Sequence, residues 1–126
     1  MLNVLIVDDE ASIREMISRA LRSKYKVDSF SSGENALIAC SEKDYDIAFT
    51  DVSMPHMDGI EFSHKMSIVS PKTRIVFVTG LPDSVPKDNP SKVIAKPFVL
   101  KEIMNECDEL LREMQESDTD VFEVAE

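Results

Sequence analysis

Residues 46–59 read Asp46-Ile-Ala-Phe-Thr-Asp-Val-Ser-Met-Pro-His-Met-Asp-Gly59. Ile47 to Thr50 is a short, mostly apolar run, which is typical of a buried strand in a parallel sheet. The run stops at Asp51, and Pro55 keeps Met54 out of the helical region, so Asp51 begins an irregular loop. Because ligands of open α/β sheets bind beyond the carboxyl ends of the strands, Asp51 is a candidate site residue.

A second apolar run ends in acids near the start of the chain. Val4 to Val7 is followed directly by Asp8, Asp9 and Glu10. Adjacent acids repel one another unless a cation compensates, and a site of carboxylates, carbonyls and waters suits Mg²⁺. A structural role is the alternative, because Asp9 or Glu10 could cap the following helix and Asp51 could be a simple turn former.

Two further strand ends carry polar groups of other kinds. The run from Val93 to Ala95 ends at Lys96, and Pro97 after it permits a cis peptide bond. The run from Arg74 to Thr79 ends in a hydroxyl. Lys96 could form a structural ion pair with the acids, but a lysine between a buried strand and a proline favours a functional role.

Together these motifs resemble the receiver domain of two-component response regulators. The resemblance runs from about Leu2 to Met114 and rests on Val7-Asp8-Asp9-Glu10, Asp51 with Met54-Pro55 and Met57-Asp58-Gly59, Thr79, and Lys96-Pro97-Phe98. Each motif is weak alone, but their combination in this order is specific. It implies a flavodoxin-like, doubly wound α/β fold with a five-stranded parallel sheet of order 2-1-3-4-5. Strands 1 and 3 are neighbours in that order, so Asp8, Asp9 and Asp51 are expected to meet.

The resemblance also implies the chemistry of the site. The carboxylate of Asp51 would take a phosphoryl group from a phosphohistidine on a histidine kinase or phosphotransfer protein. Asp9, Asp51 and the backbone carbonyl of Ser53 would bind Mg²⁺ directly. Asp8 would act mainly through a metal-bound water.

Two more side chains would act on the phosphoryl group. Lys96 would pair with Asp51 before the reaction and with a phosphoryl oxygen after it, and Thr79 would donate its hydroxyl to another phosphoryl oxygen. Such a domain is a self-phosphorylating phosphoacceptor with slow autodephosphorylation, which differs from a multiple-turnover enzyme. It would signal by contact with a downstream protein target.

Two other functions stay open. An Mg²⁺-dependent phosphohydrolase also forms an aspartyl phosphate at a strand end, but it needs a second acid two residues after its nucleophile. Ser53 occupies that position, which disfavours a hydrolase. A phosphorylation-independent scaffold with a relict pocket is the second alternative, and the complete set of acids, threonine and lysine argues against it.

Three features depart from the family pattern, and all of them concern the output of the signal. The position three before Lys96, which is usually aromatic, is Val93. The segment between Thr79 and Lys96 is short and holds three prolines, so helix 4 is expected to be shortened or missing. Gly80 stands where a small alanine is common. These departures leave phosphoacceptance intact and put the usual output mechanism in doubt.

The composition limits the other classes of function. A chain of 126 residues with 43% apolar composition fits one domain. The net charge of -10 argues against a nucleic-acid surface, and no apolar run approaches the length of a membrane span. No signal-peptide pattern precedes the first strand. We therefore expect a cytoplasmic protein with neither nucleic-acid nor membrane partners.

The end of the chain differs in composition from the rest. Beyond Arg112 there are six acids and no bases. We expect a receiver domain over residues 1–114 and an acidic C-terminal tail over residues 115–126, which is too polar to build a core and is predicted to be disordered.

Local patterns give three smaller predictions. Ser12 and Glu15 have the spacing of a capping box at the start of the first helix. Cys40 and Cys107 have no CxxC context and are expected to be free, packed thiols. The two histidines have no partner at metal-ligand spacing.

Overall fold

The computed structural model describes the backbone of residues 1–125 and the side chains of residues 1–116. Within this part of the chain, strands and helices alternate as the sequence predicts, except that no α-helix joins the last two strands. The strands are β1 (Asn3–Val7), β2 (Lys26–Phe30), β3 (Ile47–Thr50), β4 (Arg74–Thr79) and β5 (Lys92–Ala95). The helices are α1 (Ala11–Leu21), α2 (Gly33–Glu42), α3 (Gly59–Val69) and α4 (Leu100–Ala125).

The five strands form one parallel sheet in the order β2-β1-β3-β4-β5, which confirms the predicted fold. Three backbone hydrogen bonds extend the strand pairing by one residue: Asp8 N–H to Phe30 O at 3.2 Å, Asp51 N–H to Val7 O at 3.0 Å and Lys96 N–H to Thr79 O at 2.8 Å. The residues that follow β1, β3 and β5 are therefore held in register at the carboxyl ends of the strands.

Apolar side chains of β1 alternate between two core layers, as the two-residue period of a strand requires. Val4 and Ile6 pack in one cluster with side chains of α1 and α4, such as Ile17 and Ile103. Leu5 and Val7 pack in the other cluster with residues of α2 and α3. Both faces of the sheet are thus covered, which is why its central strands are continuous apolar runs.

The connection from β4 to β5, which we call the β4–β5 loop (residues 80–91), contains no α-helix. It forms one 3₁₀ turn over Pro82–Ser84. This confirms the prediction that the helix between β4 and β5, the fourth helix of the family's fold, is shortened or missing. Val85 is its buried side chain, only 8% exposed, and it packs with Val52 and Phe77. The loop is therefore fixed mainly at one apolar point.

Helix α1 starts differently from the prediction. Its N-cap is Glu10, which makes no side-chain capping bond, so the predicted capping box of Ser12 and Glu15 is wrong. The Asp8 carboxylate accepts a hydrogen bond from the Glu10 N–H at 2.9 Å, so the turn closes early and Ser12 already lies inside the helix. Glu15 instead forms an exposed ion pair with Arg19 at 2.9 Å.

Helix α4 continues past residue 114, where the sequence predicts the end of the domain. An ion pair between Glu113 and Arg74 ties it to the start of β4. The predicted boundary and the predicted disorder of residues 115–126 stay predictions, because the side chains of residues 117–126 lie outside the described residues. Cys40 and Cys107 are buried and free, as predicted. Among the described residues, no helix has the length and apolar character that crossing a bilayer requires.

Candidate functional site

Three carboxylates from two neighbouring strands meet at the carboxyl ends of the sheet's strands. Asp8 and Asp9 follow β1, and Asp51 follows β3; each offers an oxygen within 4.8 Å of the others. Asp8 is 2% exposed and Asp51 is 6% exposed, whereas Asp9 is exposed. Carboxylates at this separation repel one another, so the cluster calls for nearby positive charge.

Lys96 supplies positive charge from the end of β5. Its ammonium Nζ lies 3.0 Å from Asp8 Oδ2 and 3.1 Å from Asp51 Oδ2, with Glu10 Oε1 at 3.5 Å. Burial lowers the pKa of Lys96, but the hydrogen bonds to Asp8 and Asp51 outweigh burial and raise it overall, so the side chain is charged. Lys96 therefore bridges two acids here, whereas the resemblance implies pairing with Asp51. The Lys96–Pro97 peptide bond is cis.

Asp8 and Asp9 differ in how they are held. Asp8 Oδ1 accepts a hydrogen bond from the Glu10 N–H, and Asp8 Oδ2 accepts one from Lys96. Burial raises the pKa of Asp8, and these two hydrogen bonds offset part of that effect. Within residues 1–116, the Asp9 carboxylate has no hydrogen bond or ion pair. Asp8 is thus committed to protein contacts, and Asp9 is free to take an external ligand.

Asp51 is fixed by the backbone that follows it. Its Oδ1 accepts hydrogen bonds from the N–H groups of Val52 at 2.7 Å and Ser53 at 3.4 Å. Gly59 N–H donates to Val52 O at 2.8 Å, which brings the start of α3 back against this loop. A Cβ on Gly59 would lie 1.9 Å from Asp51 O, so the approach requires glycine.

Thr79 connects the site to the β4–β5 loop. The residue is fully buried, and its Oγ1 accepts a hydrogen bond from the Leu81 N–H at 3.0 Å. Leu81 O in turn accepts two hydrogen bonds from Ser84, one from its backbone N–H at 3.0 Å and one from its side-chain hydroxyl at 2.6 Å. A movement of the Thr79 hydroxyl would therefore act directly on the 3₁₀ turn.

Two residues near the cluster were not predicted as members of the site. Glu10 approaches Lys96, and Arg14 donates a hydrogen bond from Nη1 to the Asp8 carbonyl at 2.6 Å. Glu10 belongs to the acidic triplet in the sequence, so its proximity could have been expected. Arg14 lies six residues after its acceptor. The signal for this contact in the sequence is weak: Arg14 is a basic residue about one helical turn after the acidic triplet.

The site fits a hard divalent cation. Its acidic side chains are Asp8, Asp9, Glu10 and Asp51, and its basic side chains are Lys96 and Arg14. Four carboxylates against two cations leave an excess of two negative charges, which an ion such as Mg²⁺ would balance. Carboxylate oxygens are also the ligand type that Mg²⁺ prefers.

Comparison with known proteins agrees with the resemblance to receiver domains. The family model of the response regulator receiver domain matches residues 4–115. The response regulator receiver protein CpdR of Brucella abortus is 34% identical over 119 residues, which cover 88% of this chain and 98% of CpdR.

Solved structures share the fold over nearly their whole length. The Vibrio cholerae chemotaxis protein CheY4 is 28% identical with a TM-score of 0.77, covering 87% of this chain and 98% of CheY4. TrrA from Thermotoga maritima, solved in complex with Mg(2+)-BeF, is 25% identical with a TM-score of 0.77, covering 87% of this chain and 99% of TrrA. From its sheet order, its acidic strand ends and the family match over residues 4–115, the chain belongs to the response regulator receiver domain family.

Proposed function

We propose that the chain is the phosphoacceptor of a two-component phosphorelay. Asp51 takes a phosphoryl group from a histidine kinase or phosphotransfer protein, with Mg²⁺ in the acidic site, and the phosphorylated domain signals by contact with a downstream protein. The observation that carries this proposal is the Lys96 ammonium between Asp8 and Asp51. The proposal includes a cytoplasmic location, and the net charge of -10 disfavours nucleic acid as the target.

The arrangement supports phosphoryl transfer because this reaction needs positioning and charge neutralisation more than covalent help. A carboxylate oxygen of Asp51 forms the new bond to phosphorus while the bond from phosphorus to the histidine nitrogen breaks. Lys96 Nζ, 3.1 Å from Asp51 Oδ2, is close enough to pair with an oxygen of the transferred group. Thr79 at the end of β4 would donate its hydroxyl to another oxygen.

The metal would be held by residues of the two neighbouring strand ends. Asp9, Asp51 and the backbone carbonyl of Ser53 would bind it directly, and Asp8, whose carboxylate is already bonded to Glu10 and Lys96, would act through a water. Bound Mg²⁺ would neutralise charge on the phosphoryl oxygens. TrrA was solved in complex with Mg(2+)-BeF, which supports Mg²⁺ as the ion here.

A small phosphodonor with Mg²⁺, followed by intact mass measurement, tests the proposal. One stable phosphoryl adduct per chain is expected. Multiple turnover of a phosphate ester without an adduct would instead indicate a hydrolase. No adduct and no turnover would indicate a scaffold that works without phosphorylation.

Mg²⁺ should stabilise the folded wild type, because an ion that binds only the folded state shifts unfolding by mass action. At about one hundred times the dissociation constant the gain is about 2.7 kcal/mol. Asp9→Asn should lose most of this gain and should weaken Mg²⁺ binding more than Asp8→Asn does. Thermal unfolding and calorimetric titration of the three proteins, with and without Mg²⁺, measure both effects.

In the absence of metal, Asp9→Asn should be slightly more stable than the wild type, because it removes one of several repelling carboxylates. A wild type that is indifferent to saturating Mg²⁺ would remove the metal from the proposal. Equal weakening by the two substitutions would contradict the assignment of Asp9 as the direct ligand and Asp8 as the indirect one.

Phosphorylation should change the order of the β4–β5 loop, not the rotamer of an aromatic side chain. Val93 is too small for such a swing, while Thr79 is bonded to the Leu81 amide and the loop has a single buried anchor, Val85. Segments with few buried contacts are the least stable parts of a fold. Hydrogen exchange with and without an aspartyl-phosphate mimic, in the presence of Mg²⁺, should differ over residues 80–92.

The amides of β2, at the opposite edge of the sheet from β5, provide the internal control and should not change. Slow and identical exchange of residues 80–92 in both states would show that the loop is a fixed element and that the output lies elsewhere.

A further inference from the structure

One side chain of α1 also contacts the turn that carries Asp9. Arg14 Nη1 donates a hydrogen bond to the Asp8 carbonyl at 2.6 Å, and the Arg14 backbone N–H donates to the Glu10 carbonyl at 3.2 Å. The second of these is the first backbone hydrogen bond of α1, which starts at the Glu10 N-cap. The Arg14 side chain therefore holds the peptide group just before the residue that is proposed to bind the metal directly, and the Glu10 N–H bond to Asp8 Oδ1 holds the peptide group just after it.

The side chain of Asp9 depends on these backbone contacts, because it makes no polar contact of its own among the described residues. Its carboxylate is exposed and has no hydrogen bond or ion pair within residues 1–116. Its direction is set by its own backbone, and hence by the peptide groups before and after it. A charged donor forms a stronger hydrogen bond to a carbonyl than a neutral one does, so the guanidinium is well suited to fix this turn.

Stability of α1 alone does not account for an arginine at this position. The first turn of a helix is its positive end, where a cation is unfavourable. The half-buried Arg14 side chain also folds back over the turn instead of forming an ion pair like that of Arg19 with Glu15. The geometry thus directs Arg14 to the acidic site.

We propose that Arg14 is a positioning residue for the metal site, and that it acts by fixing the backbone around Asp9 so that the Asp9 carboxylate faces the ion. This inference rests on the proposed function, since it needs the acidic site to bind Mg²⁺. The proposal predicts a change in Mg²⁺ affinity that is opposite in sign to a simple charge effect. Removing a nearby positive charge would by electrostatics alone strengthen Mg²⁺ binding, whereas loss of positioning weakens it.

Calorimetric Mg²⁺ titration of the full chain tests the proposal with two matched variants. Arg14→Met should bind Mg²⁺ about tenfold more weakly, as is typical when a group that orients a ligand is lost. Arg19→Met removes the same charge from the same helix at an exposed position and should bind like the wild type. Arg14→Lys, which keeps a charged donor, should recover part of the affinity.

A double substitution shows whether Arg14 acts through Asp9. In the Asp9→Asn background, measured at higher Mg²⁺ concentration, Arg14→Met should weaken binding much less than it does in the wild type, because the positioned ligand is already gone. Unfolding of all variants without Mg²⁺ identifies any loss of fold, and Arg14→Lys decides the matter if Arg14→Met does not fold.

The outcomes separate this inference from the proposed function. Wild type that binds Mg²⁺, with equal or tighter binding by Arg14→Met, would overturn the role of Arg14 and leave the phosphoacceptor proposal standing. Equal losses in both backgrounds would also overturn it. Wild type that does not bind Mg²⁺ would overturn both proposals.

Discussion

Asp51→Asn should abolish phosphoryl uptake while the domain stays folded. An amide cannot act as the nucleophile, and it is a poorer metal ligand than a carboxylate. The fold should survive because the amide oxygen can still accept the hydrogen bond from the Val52 N–H, and Lys96 keeps Asp8 as a partner. Intact mass after incubation with a small phosphodonor and Mg²⁺ measures the uptake, and thermal unfolding measures the fold.

Asp44→Asn is the matched control. Asp44 is an exposed acid that precedes the same strand β3, so the same chemical change should leave uptake at the level of the wild type. If Asp51→Asn still gains one acid-stable, base-labile phosphoryl group, the phosphoacceptor has been misassigned.

Gly59→Ala should destabilise the domain strongly, although alanine is ordinarily the better helix former by about 1 kcal/mol. The added Cβ would lie 1.9 Å from Asp51 O and 2.9 Å from Val52 Cα. Both atoms belong to the backbone, so a rotamer change cannot relieve the contact, and the Asp51 loop or the start of α3 must move. We expect a loss at or above the upper end of roughly 1–3 kcal/mol, the usual cost of overpacking.

Denaturant unfolding of Gly59→Ala and Gly80→Ala measures this effect against a control. A Cβ on Gly80 would meet nothing within 4 Å, so Gly80→Ala should be neutral or stabilise by about 0.4–1 kcal/mol through the unfolded state. Phosphoryl uptake should fall only in Gly59→Ala, because its contact is with Asp51 itself. Equal stability of the two variants would show that the close approach of α3 to the Asp51 loop is not needed.

The sequence predicts the sheet and the position of the acids because both depend on strong local patterns. Continuous apolar runs mark buried parallel strands, and a polar residue directly after such a run must lie at the edge of the sheet. The absence of an α-helix between β4 and β5 was predictable for a similar reason, since the prolines between Thr79 and Lys96 leave too few consecutive residues for a helix.

Contacts between segments were not predictable in the same way. The capping box of Ser12 and Glu15 failed because the Asp8 carboxylate closes the turn first, which is a competition that spacing alone does not reveal. The sequence marks Gly59 only as part of the Met57-Asp58-Gly59 motif, whereas its close contact with Asp51 depends on how α3 packs. The sharing of Lys96 between Asp8 and Asp51 depends on three strand ends at once.

The phosphoryl group can be located directly on the wild-type chain by chemical trapping. The protein is incubated with a small phosphodonor and Mg²⁺, the acyl phosphate is reduced with borohydride, and the modified residue is identified by peptide mass spectrometry. We expect one modified residue, Asp51, and no modification when Mg²⁺ is omitted. Modification at Asp8, Asp9 or another residue, or no modification at all, would contradict this expectation.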